Sequence, residues 1–71
     1  MFRDLRLSVI KEGIIQFSCI CNVHEMYQLL HVDQKLTYEE SYFLAYMVEK
    51  RGVTIEKKHE DRILRVERVG I

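Results

Sequence analysis

Leu5, Leu7 and Val9 alternate with Arg6 and Ser8, the two-residue period of a strand with one face buried. Phe2, Leu5, Val9 and Ile10 also fall along one helical stripe, so the pattern admits strand or helix over residues 2–11, with the strand expected. Lys11-Glu12-Gly13 supplies a glycine-containing turn. A second strand runs from Ile14 to about Cys21, with Ile15, Phe17, Cys19 and Cys21 on one face and Ile14 and Ile20 on the other. Asn22 followed three residues later by Glu25 marks a helix start, and Val23, Met26, Tyr27 and Leu30 form its apolar face to about His31. Asp33-Gln34-Lys35 then connects to a longer helix. Beyond Gly52, Val53 and Ile55 alternate with Thr54 and Glu56, and Leu64 and Val66 with Arg65 and Glu67. These read as two strands joined by a polar loop, Lys58-His59-Glu60-Asp61.

The longer helix has the clearest boundaries. Thr37-Tyr38-Glu39-Glu40 is a capping box, in which the Thr hydroxyl accepts from the Glu40 N–H and the carboxylate reaches back to the Thr N–H. Gly52 offers the left-handed residue that ends it, after Lys50 and Arg51 have met the negative end of the helix dipole. Placed at about 100° per residue, Phe43, Leu44, Met47 and Val48 make a broad aliphatic side, the expected core face. Tyr38, Tyr42 and Tyr46 rise at steps of four on the other side, with Ala45 beside them. Tyrosine combines apolar area with a hydroxyl that tolerates water, which is why it is enriched at protein interfaces. The first helix, through Val23, Tyr27 and Leu30, either covers these tyrosines or leaves them for a partner.

The expected fold is therefore α+β: one small domain over residues 1–71, in the order β-β-α-α-β-β, with an antiparallel sheet and two helices on one face. A chain of 71 residues buries only about 60% of its unfolded surface, so oligomerisation or a partner would help to stabilise it. A hydrophobic content of 48% with 31% charged residues places it among folded proteins. The formal charge is zero, and it balances locally: Arg3, Arg6, Lys11 and Lys35 stand against Asp4, Glu12, Glu25 and Asp33, and the rest of the chain is likewise even. No positive excess favours phosphate. No stretch approaches the roughly 20 apolar residues of a membrane span, and Met-Phe-Arg-Asp-Leu-Arg lacks the apolar core of a signal peptide. The two cysteines, two apart on one strand face, are poorly placed for a mutual disulfide. A reduced, cytoplasmic protein is expected.

Cys19-x-Cys21-x-x-His24, with His31 beyond, contains zinc-type ligands. However, His24 and His31 are two helical turns apart, about 10 Å, so core cysteines and surface histidines are expected, with no metal. No glycine-rich phosphate loop, activated-serine elbow or His-Glu-x-x-His pair occurs, and neither a catalytic residue nor a cofactor is assigned. Asp33, Asp61 and His59 read as solvated turn residues.

From Ile14 onward the segment order is similar to that of a winged helix-turn-helix domain. Tyr46-Met47-Val48-Glu49-Lys50-Arg51-Gly52-Val53 resembles a recognition helix running into a wing strand. The resemblance implies DNA binding, with Lys57, Lys58, Arg62, Arg65 and Arg68 near phosphates. The helix start carries Glu39 and Glu40 in place of base-reading side chains, and Glu56, Glu60, Asp61 and Glu67 offset the wing cations.

The functional expectation is a non-catalytic, protein-binding regulatory or inhibitory module, acting as a homodimer through a tyrosine-lined helix face. Its contact residues are Tyr38, Glu39, Tyr42, Ala45, Tyr46 and Glu49. A winged-helix transcription regulator is the alternative, with nucleic acid as the second choice of partner.

Overall fold

The computed structural model describes residues 2–69. Strands β1 (Leu5–Lys11) and β2 (Ile14–Cys21) are followed by helix α1 (Val23–Gln28), a π-helical segment (Leu29–Asp33), helix α2 (Tyr38–Arg51), and strands β3 (Ile55–His59) and β4 (Arg62–Arg68). The strands form one antiparallel sheet in the order β2-β1-β4-β3, and both helices pack on one of its faces.

Segment 2–11 resolves as a strand from Leu5. Leu5, Leu7 and Val9 enter the core, whereas Phe2, which a helical stripe would have buried, is 86% exposed. Leu64 and Val66 lie opposite Val9 and Leu7 on β4 and extend the same apolar face. Met26 and Leu30 from the first helical stretch, and Leu44, Ala45 and Val48 from α2, close over it.

Both capping boxes form. Asn22 Oδ1 accepts from the Glu25 N–H (2.8 Å), and the Asn22 N–H donates to Glu25 Oε1 (2.9 Å). Thr37 and Glu40 repeat the exchange at 3.1 and 3.3 Å. Gly52, at φ 68°, ends α2 with its N–H donating to the Val48 carbonyl (2.8 Å).

The structure changes four details of the sequence reading. Ile15 lies opposite Ile10 while Phe17 lies opposite Val9, so Gln16 is the extra residue of a β-bulge. The bulge reverses the alternation and moves Ile15 to the sheet's open face, away from Phe17. Lys58 and His59 belong to β3, leaving only Glu60-Asp61 as the turn, because His59 still pairs with Arg62 and Glu60 takes φ 58°. The first helical stretch continues past His31, where the Gln34 N–H reaches the Leu29 carbonyl and the Leu36 N–H that of Leu30, each at 3.0 Å. This winding lodges Leu36, which follows the Asp33-Gln34-Lys35 connection, in the core.

The fourth change concerns α2. Leu44 and Val48 of the expected core side are buried, but Ser41 and Ala45 join them in place of Phe43 and Met47. α2 packs against both α1 and β4, and the small side chains at 41 and 45 permit that close approach. The Ser41 hydroxyl donates to the Thr37 carbonyl (2.8 Å), so its polar group is satisfied within the helix and burial costs little.

Candidate protein-binding face of the second helix

With Ser41, Leu44, Ala45 and Val48 inside, the geometry of a 3.6-residue turn sends Glu39, Tyr42, Phe43, Tyr46, Met47 and Lys50 outward. They line an open groove of about 700 Å³ along the helix. Tyr38 is 63% exposed, Tyr42 53% and Phe43 51%. Tyr46 is half-buried and packs against the edge of the core. The Tyr42 and Tyr46 rings stack with centroids 4.4 Å apart.

The first helical stretch covers only one flank of this stripe. Tyr27 meets Tyr38 edge-on at 5.5 Å, and His31 stacks on Tyr27 at 5.7 Å and meets Tyr38 edge-on at 5.9 Å. The His31 Nδ1–H donates to the Leu36 carbonyl (3.1 Å), which fixes the ring in this cluster. Burial and the neighbouring Tyr38 hold the Tyr27 phenol above its ordinary pKa.

The predicted contact residues separate accordingly. Tyr38, Glu39, Tyr42 and Tyr46 lie together along the groove. Ala45 does not belong to it: the residue is wholly buried and cannot meet a partner. Glu49 borders the groove, but its Oε2 is buried without a hydrogen-bond donor, as is Asp4 Oδ1, while Asp4 Oδ2 is 3.5 Å from Arg68 Nε. Burial, and then Asp4, push the Glu49 carboxyl above its ordinary range. Glu49 is thus tied inward and is not a free acidic rim.

Phe43 and Met47, expected in the core, and Lys50 line the groove without having been expected there. Ser41 and Ala45 were the signal, since two small residues four apart mark where a helix approaches its neighbours closely, and the large residues then fall opposite.

Among the described residues, no three His, Cys, Asp or Glu side chains converge as a metal site. Cys19 and Cys21 are free thiols; burial raises the pKa of both, pushing Cys21 up to about 12. Most cations of the β3–β4 hairpin are engaged with acids, Lys58 being the exception among the described residues. Lys57 Nζ is 2.7 Å from Glu40, Arg65 Nε 2.7 Å from Glu56, and Arg62 contacts both Glu60 and Asp61. Among the described residues, no helix is long and apolar enough to cross a membrane. Comparisons with protein families, with curated proteins and with solved structures found no match.

Proposed function

We propose that this chain is a non-catalytic, protein-binding module of regulatory or inhibitory kind, acting in the cytoplasm through the outer face of α2. One observation carries the reading: Tyr42 and Phe43, more than half exposed, adjoin Tyr46 and Met47 on successive turns of a helix whose inner face is already complete core. A contiguous apolar patch rimmed by charge is the usual mark of a binding surface. Aromatic anchors at its centre would supply most of the affinity. A homo-oligomer joined through the same face is one form such binding takes. The action would be occlusion, in which the aromatic stripe covers a complementary surface and keeps other ligands from it.

Photo-cross-linking from position 42, with position 58 on the open face of the sheet as control, tests this reading. Protein adducts should form from 42 and not from 58, and should be competed by wild type but not by Tyr42→Ser. Equal adducts from both positions would overturn it. So would retention of random-sequence DNA that falls steeply with salt.

A further inference from the structure

Resting on the reading of α2 as the binding face, we infer that its occupant is a second copy of this chain, docked α2 against α2 in antiparallel alignment about a two-fold axis. The stripe's central residues are Glu39, Phe43, Tyr46 and Lys50, at spacings of four, three and four, with Tyr42 and Met47 on its flanks. Such spacing is the seam of a helix that packs on another helix. Reversing the helix about a point between Leu44 and Ala45 maps this set onto itself. Glu39 then meets Lys50 of the second copy, Tyr42 meets Met47, and Phe43 meets Tyr46, each contact occurring twice as a two-fold interface requires.

Each pairing is chemically favourable. Carboxylate meets ammonium at both ends, a thioether meets an aromatic ring, and two aromatic rings meet beside the axis. Parallel alignment would instead set Glu39 against Glu39 and Lys50 against Lys50.

The ion pairs within the subunit point the same way. Glu40, the neighbour of Glu39, is bound to Lys57 at 2.7 Å. Among the described residues, neither Glu39 nor Lys50 has an ion-pair partner in its own subunit. The helix dipole accounts for an acid in the first turn and a base in the last. It does not account for their lying on the same stripe as the exposed aromatics. The seam from 39 to 50 spans only about 17 Å at 1.5 Å per residue. The contact is therefore smaller than a standard interface, and a dissociation constant of roughly 1–100 μM is expected.

Sedimentation equilibrium over a concentration series tests the inference, with circular dichroism confirming that each variant is folded. Glu39→Lys and Lys50→Glu should each weaken self-association by about tenfold, since each replaces two attractions with two repulsions. An equimolar mixture of the two variants should associate again, because each then faces its opposite charge, and the double variant should recover alone. Tyr42→Ser should be monomeric. A wild type that is monomeric to about 1 mM overturns the inference. So does a dimer indifferent to both charge reversals, and a dimer lost in Ser18→Glu would place the contact on the β2 edge. These failures are distinct from failure of the binding-face reading, which the cross-linking at position 42 decides by itself.

Discussion

Tyr42 and Tyr46 stack on the outer side of α2, their ring centroids 4.4 Å apart and their planes inclined by 26°, while Ala45 between them in sequence is wholly buried. One turn of helix thus carries both a bare aromatic face and a sealed core seam. Substitutions only three positions apart should therefore act on different properties. Tyr42→Ser, at an exposed site, should change stability by no more than about 0.5 kcal/mol yet abolish association. Ala45→Leu should cost about 1–3 kcal/mol by overpacking the contact with α1 and β4. Urea denaturation of both variants checks this, and comparable losses would mean that the Tyr42 ring belongs to the core.

Glu49 and Asp4 supply a pH dependence. The folded-state pKa of Glu49 is raised, by burial first and then by Asp4. The native protein therefore binds more protons than the unfolded chain between the unfolded pKa, about 4.3, and the raised value. Stability contributed by this group is full below that window and is lost as pH rises through it. Glu49→Gln should raise the melting temperature at pH 7 by a few degrees, and the gain should disappear in acid near pH 4. A variant no more stable than wild type at pH 7 would show that the carboxyl pair carries no such penalty.

The thiols should be inert in the native state. With its pKa near 12, the Cys21 thiol is ionised in about one molecule in 10⁴ at pH 8, and the thiolate is the reactive form. Alkylation by iodoacetamide, followed by mass spectrometry, should label Cys21 far more slowly in the native protein than in guanidinium. Equal rates in the two conditions would contradict the burial.

Gly52 ends α2 at φ 68°, where an added Cβ would meet nothing closer than Arg68 at 3.8 Å. Space is available, so Gly52→Ala should cost only the left-handed conformation, about 1–2 kcal/mol. Thermal unfolding with unchanged circular dichroism below the transition is the expected result.

β2 is an edge strand without a charged residue, whereas the other edge, β3, carries Glu56, Lys57 and Lys58. Exposed, uncharged edges invite pairing with other chains, and charge blocks it. Ser18→Glu should slow aggregation on heating, with the melting temperature changed little. Light scattering during a temperature ramp measures it, and unaltered aggregation would show that the β2 edge is not the route.

Much of this protein was legible in the order of its residues, because the legible parts are local. Alternation identified the strands read from Leu5, Ile14, Val53 and Leu64, although pairing starts β3 only at Ile55 and β4 already at Arg62, and the Asn22–Glu25 and Thr37–Glu40 boxes placed both helix starts, since a cap needs only neighbours three residues away. The element order and the antiparallel sheet followed. The inward faces of β1, α1 and β4 were legible too, but tertiary structure alone decided those of the first part of β2 and of α2. The bulge at Gln16, which turns Ile15 to the open face, exists only through pairing with β1. In α2, where the helix packs on α1 and β4, small Ser41 and Ala45 went inside beside Leu44 and Val48, leaving Phe43 exposed and Met47 half-buried, against the order of hydrophobicity. Glu49 still borders the groove, but its carboxylate is tied inward because folding brings Asp4, forty-five positions away in sequence, to its side. Hydrophobic periodicity measures which residues can be buried, whereas the distance between packed elements selects which of them fit.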